Sequence, residues 1–140
     1  MPENESMTEP PRRRPVISIV DDDESVRAAT ANLVASLGFD ACTFPSAEEF
    51  LQSAGLNETS CLITEVGMPG MSGMALQRAL RDRGRRLPTI FVTAFAGENI
   101  KARAVAEGAV CILTKPFETD SLIRCINAAL GCRSGSDERR

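Results

Sequence analysis

The sequence predicts an α/β domain of five β-α units, wound as a doubly wound parallel sheet with helices on both faces. Three observations lead there. Short apolar runs alternate with segments of helical spacing from about residue 16 to residue 130, the pattern of repeated strand-helix units. Three of those runs, residues 16–20, 60–65 and 89–93, are nearly continuous in apolar or β-branched side chains, as strands covered on both faces must be. The 140 residues are 43% hydrophobic and 25% charged, which suits one core of ordinary size.

Residues 1 to 14 are polar, hold Pro2, Pro10, Pro11 and the run Arg12 to Arg14, and are expected to form a disordered tail. The folded domain is expected over 15 to 131, with a second frayed tail over 132 to 140. Val16 to Val20 is the first strand. Val26, Ala29, Thr30, Leu33 and Leu37 then fall at helical spacing over 24 to 37, and Gly38 stands where that helix ends. A short second strand follows at 39 to 43. Ser46 and Glu49 make an S-x-x-E capping box opening a helix through about Ala54. The third strand, 60 to 65, closes on an acid, Glu65. After the loop "VGMPGMSG", Ser72 can cap a helix carrying Met74, Leu76, Ala79 and Leu80. Pro88 precedes the fourth strand, Thr89 to Thr93. Ile100, Ala104 and Glu107 mark a fourth helix stopped by Gly108, and Ala109 to Leu113 is the fifth strand. Leu122, Ile123, Ile126, Ala129 and Leu130 define a last helix over about 119 to 130, ended by Gly131.

Several function classes drop out. With no histidine, His-based zinc sites, His general bases and Ser-His-Asp triads are excluded. A net charge of −3 makes no general case for nucleic acid. No apolar stretch approaches the roughly 18 residues that span a bilayer, and the apolar part of "RRRPVISIV" is too short for a signal peptide. Five cysteines contain no CxxC pair. Cys42, Cys61, Cys111 and Cys125 lie in apolar runs and are read as reduced packing residues, with Cys132 near the end. The chain is read as cytoplasmic.

In open parallel sheets the working site lies at the carboxyl ends of the strands. Here those ends carry Asp21, Asp22 and Asp23 after the first strand, Glu65 on the third, Thr93 on the fourth, and Thr114, Lys115 and Pro116 after the fifth. Clustered carboxylates repel and need a compensating cation. Hard oxygen donors of this kind suit Mg²⁺. Lys115 can pair with Glu65 or a bound oxyanion, and Thr93 can donate to an anion. Asp23 is placed to cap the first helix.

The segments "VDDDESVR", "MPGMSG", "IFVTAF" and "LTKPF" resemble the receiver domains of bacterial response regulators, over about residues 14 to 131. The spacings from Asp22 to Glu65, to Thr93 and to Lys115 agree as well. The resemblance is greatest to receivers of the kind that often precede a helix-turn-helix output domain. It implies a flavodoxin-like strand order, 2-1-3-4-5, and a phosphorelay in which a sensor kinase passes phosphate from its histidine to an aspartate on the third strand. By match of motif, Asp21, Asp22, the acceptor-position acid and the Gly67 carbonyl would hold Mg²⁺. Thr93, with Ala94 beside it, would be the switch hydroxyl, and Lys115 the phosphate partner. Partners implied are a sensor histidine kinase or an effector protein, with a homodimer as another possibility. The fourth helix, fifth strand and fifth helix would form the output surface, drawing on Glu98, Ile100, Lys101, Arg103 and Arg124. Too little chain follows residue 131 for a helix-turn-helix, so direct nucleic-acid binding is not expected of this chain.

Two positions depart from the family pattern. Ile112 stands where an aromatic switch residue is common, and Glu65 stands where the phosphorylated aspartate belongs. The extra methylene moves the carboxylate farther into the cleft, and phosphoryl transfer depends on in-line placement. Glu65 is therefore expected to accept phosphate poorly, or to imitate a phosphoryl oxygen within reach of Lys115 and Thr93. One alternative is a pseudo-receiver that binds proteins without phosphate chemistry. Another is a haloacid-dehalogenase-like phosphatase built on "VDDDES", although that family wants Thr or Val at Ser25, a downstream acidic pair and a cap domain.

Overall fold

The computed structural model describes residues 14–95 and 97–138, with side chains through residue 131. Five strands, β1 (Val16–Val20), β2 (Asp40–Phe44), β3 (Cys61–Glu65), β4 (Thr89–Thr93) and β5 (Cys111–Thr114), run parallel in the order β2-β1-β3-β4-β5. The helices are α1 (Glu24–Ser36), α2 (Ala47–Gln52), α3 (Gly73–Asp82), α4 (Glu98–Ala106) and α5 (Thr119–Glu138).

Strand alternation divides the core. Ile17, Ile19, Cys61, Ile63, Ile90 and Val92 pack with Val34 of α1 and Leu122, Cys125, Ile126 and Ala129 of α5. Val20 and Leu62, on the opposite face, meet Phe50 of α2 and Leu76 and Leu80 of α3. Phe91 joins Val66, Met74 of α3 and Ala104 of α4 in a smaller cluster, with Ile100 and Ile112 against it. Successive side chains of a strand point to opposite faces, so β3 and β4 are buried throughout. Ser18, also buried, shares a 2.7 Å hydrogen bond with Thr59, whose hydroxyl donates to the Gly55 carbonyl.

The structure departs from the sequence reading at several edges. Strand β2 begins one residue later than expected and β5 two, because pairing with β1 and β4 sets their limits. Helix α2 stops at Gln52, and Ser53 caps a 3₁₀ turn, Ala54–Glu58, before β3. Helix α5 continues past Gly131 to Glu138. A helical glycine costs only about 1 kcal/mol against alanine, and Gly131 does not adopt the positive φ that ends a helix. Cys42 is exposed, on an edge strand whose outer positions face solvent. Cys125 is buried, and burial first, then the neighbouring Cys111 thiol, pushes its pKa up to about 12. The tail expected over 1–14 lies outside the described residues except for residue 14, as do residues 139 and 140 and the side chain of Cys132.

Candidate functional site at the carboxyl edge of the sheet

Strand register brings the site together. Glu65 of β3 lies beside Val92 of β4, Thr93 lies beside Thr114 of β5, and the Lys115 amide donates to the Thr93 carbonyl at 2.8 Å. Asp21 follows Val20, and its own amide donates to the Phe44 carbonyl. Three chain segments thus end within side-chain reach of one another.

Asp21, Glu65 and Lys115 meet. The Lys115 ammonium contacts Glu65 Oε1 and lies 3.2 Å from Asp21 Oδ2. Glu65 is 7% exposed and Asp21 4%, so both carboxylates lie largely out of water. Asp21 Oδ1 accepts from the Asp23 amide at 2.9 Å, and Glu65 Oε2 accepts from the Gly67 amide at 3.2 Å. Desolvation pulls the Lys115 pKa down, but the hydrogen bond to Glu65 and the charges of Asp21 and Glu65 outweigh it and hold the ammonium above the ordinary lysine value.

The remaining expected residues are placed differently. Asp22 is exposed. Asp23 caps α1, accepting from the Ser25 and Val26 amides; the Ser25 hydroxyl and then the Val26 amide lower its pKa. The Thr93 hydroxyl is turned to its own loop, donating to the Phe95 carbonyl and accepting from the Phe95 amide, each at 3.3 Å. Ala94 is exposed beside it. Ile112 packs against the cluster of Phe91 and Ala104. Glu98, Lys101, Arg103 and Arg124 are exposed, and Ile100 is half-buried.

Three residues that shape the cleft were not singled out from the sequence. Gly73 opens α3, and a Cβ there would fall inside contact distance of the Glu65 carbonyl oxygen. Only a glycine lets α3 lie this close to the end of β3. The signal was present as a glycine directly after the Ser72 cap. Arg27 donates to the Asp21 carbonyl at 2.8 Å. Glu48 of α2 accepts from the Met71 amide at 3.0 Å and so ties down the loop after β3.

A model of the response regulator receiver domain matches residues 17–127. The chain belongs to the receiver domain family. It is 40% identical over 118 residues to the response regulator TodT of Pseudomonas putida, spanning 84% of this chain and 52% of TodT. Among solved structures it is similar to the response regulator StyR, with TM-score 0.81 and 36% identity over 89% of this chain and 63% of that one. It is also similar to FixJ-N, with TM-score 0.76 and 34% identity over 84% and 94%. The receiver spans about half the length of the curated relatives it matches. Response regulators are signalling proteins, and no enzyme family is matched among these comparisons. Among the described residues, no helix is long and apolar enough to cross a membrane.

Receiver domains bind Mg²⁺ at the phosphorylation site. The two carboxylates that meet in this cleft, Asp21 and Glu65, are hard oxygen donors of the kind that suits Mg²⁺. Among the described residues no three acids converge as ligands. Asp21 and Glu65 both turn to Lys115, which supplies the compensating positive charge.

Proposed function

We propose that this receiver signals with Glu65 standing in the phospho-acceptor position as a poor acceptor and partial imitation of the phosphorylated state. One observation carries the reading: both Glu65 oxygens are engaged, Oε1 by the Lys115 ammonium and Oε2 by the Gly67 amide. Each oxygen keeps unused lone pairs, but the extra methylene and these two contacts fix the carboxylate in a position set by Lys115 and Gly67. Phosphoryl transfer, by contrast, depends on in-line placement to within about an ångström. The same contact places an oxyanion on Lys115, the residue that the resemblance assigns to phosphate.

The imitation is partial for two reasons. Glutamate brings one charge where a phosphoryl group brings about −1.5 to −2. Thr93 remains bonded to Phe95, so one of the two expected phosphate partners is unused. A two-state surface moves only as far as the differential interaction allows, which puts this receiver between the resting and fully switched states. Asp21, Asp22, Glu65 and the Gly67 carbonyl would hold Mg²⁺, which would offset the charge of an incoming oxyanion. Asp21 and Glu65 would then share themselves between the metal and Lys115. The partner is a histidine kinase or effector protein, or a second copy, met at the surface of α4, β5 and α5.

Mg²⁺ titration with and without beryllofluoride, followed by calorimetry, tests this. Beryllofluoride leaves the Mg²⁺ affinity of the Glu65 protein unchanged and tightens that of a Glu65→Asp variant. Tightening in the Glu65 protein overturns the proposal, and none in the aspartate variant favours a pure interaction module.

A further inference from the structure

The stretch from residue 78 to residue 86 holds five arginines, Arg78, Arg81, Arg83, Arg85 and Arg86, against one acid, Asp82. It lies at the pole opposite the acidic cleft, where α3 ends and β4 begins. Gly84, at φ +78°, turns the chain back after α3, and the Arg85 amide closes that turn on the Leu80 carbonyl at 2.8 Å. Positive φ is what ends a helix in this way.

Beside the turn lies an open cavity of about 470 Å³, lined by Arg81, Arg85 and Arg86 and by the apolar Leu87, Pro88 and Val110. One carboxylate, Glu107, also lines it. That charge is already matched, because its oxygens accept from Arg78 Nε at 3.2 Å and Arg81 Nη2 at 3.1 Å. Arg85 spends one Nη donor on the Leu56 carbonyl, yet its Nε is buried with no hydrogen-bond partner among the described residues. That nitrogen is shielded from solvent, so a ligand in the cavity meets the other Nη of Arg85. Arg86 is exposed at the rim.

We infer that this cavity is a binding site for a small oxyanion, a phosphate or carboxylate group, held by Arg85 and Arg86 with Arg81 at its edge. Guanidinium forks match such groups in a bidentate manner, and the apolar lining accommodates the body that carries the anion. The site adjoins Glu107 and Gly108 at the end of α4. An anion drawing on Arg81 competes with Glu107 and loosens the tie between α3 and α4. A polyanion such as duplex DNA is the poorer fit, because Arg78 and Arg83 turn to Glu107 and to the Leu51 carbonyl rather than extending Arg86 into an open row.

Backbone amide NMR, titrated with inorganic phosphate and separately with citrate at constant ionic strength, tests the site. Saturable shifts are expected at residues 85–88 and 106–110, with midpoints on the order of millimolar. Arg86→Ala weakens the midpoint by about tenfold, the value of one charge-assisted bond. Arg85→Lys, which keeps the charge without the guanidinium fork, weakens it similarly. Glu65→Gln leaves it unchanged, separating this pole from the cleft. Non-saturating shifts, shifts confined to the acidic cleft, or midpoints unmoved by both arginine variants overturn the inference. So does binding of a DNA duplex more tightly than phosphate with a steep salt dependence.

Discussion

Lys115 and Asp21, 94 residues apart in the chain, meet with Nζ 3.2 Å from Oδ2. The same ammonium contacts Glu65, so one cation holds two largely buried carboxylates. Lys115 retains 21% side-chain exposure, which lets its charge be partly hydrated while the acids depend on it.

Removing that cation should be costly. Lys115→Met leaves Asp21 and Glu65 facing each other without compensation, and we expect roughly 2–4 kcal/mol of lost stability, below the fully buried range because Lys115 is partly exposed. Adding Glu65→Gln removes the repulsion between the two charges but leaves Asp21 without its cation, so it should restore part of the loss. Urea unfolding of both single variants and the double variant measures the coupling. Additive losses would mean that Glu65 and Lys115 do not interact in solution.

Stability should fall in alkali, with a sign set by two groups. The Lys115 pKa is raised in the folded state, so its contribution is complete below the unfolded value of about 10.4 and is lost as pH rises through the folded value. Cys125, pushed up to about 12 by burial, acts the same way, its share declining from the unfolded value of about 8.5 upward. Each proton changes stability by at most about 1.4 kcal/mol per pH unit. Denaturation midpoints between neutral pH and pH 11 for the wild-type chain and for Cys125→Ala and Lys115→Met variants separate the two. A Lys115→Met profile identical to wild type would contradict the assignment.

Gly73→Ala should destabilise the domain by about 2–3 kcal/mol, as overpacking does, because its Cβ meets the Glu65 backbone rather than a movable side chain. Thermal unfolding checks this. If the variant folds, its first helical turn must back away from β3, and the Gly67 and Glu65 amide signals should move.

How far the chain could be read in advance depended on the kind of signal. Val16–Val20 and Thr89–Thr93 were legible to the residue because each is a β-branched apolar run opened by a proline, and register then carried Asp21, Glu65 and Lys115 to one edge. The direction of the Thr93 hydroxyl was not legible, since two bonds to Phe95 within its own loop compete with any partner across the cleft. Asp22 has the same chemistry as Asp21 yet is exposed, a difference set by which side of the chain each side chain leaves. Arg27 and Glu48 act on backbone groups of other elements, contacts that no local pattern records. Residues 132–138 read as a tail because Gly131 resembles a stop, but a glycine ends a helix only when it takes positive φ.

The most direct measurement is intact-mass analysis after incubation with acetyl phosphate and Mg²⁺. With both oxygens of Glu65 engaged, the wild-type chain should stay unmodified while a Glu65→Asp variant gains one phosphoryl group. Wild-type chain phosphorylated at Glu65 as readily as the aspartate variant would contradict the account.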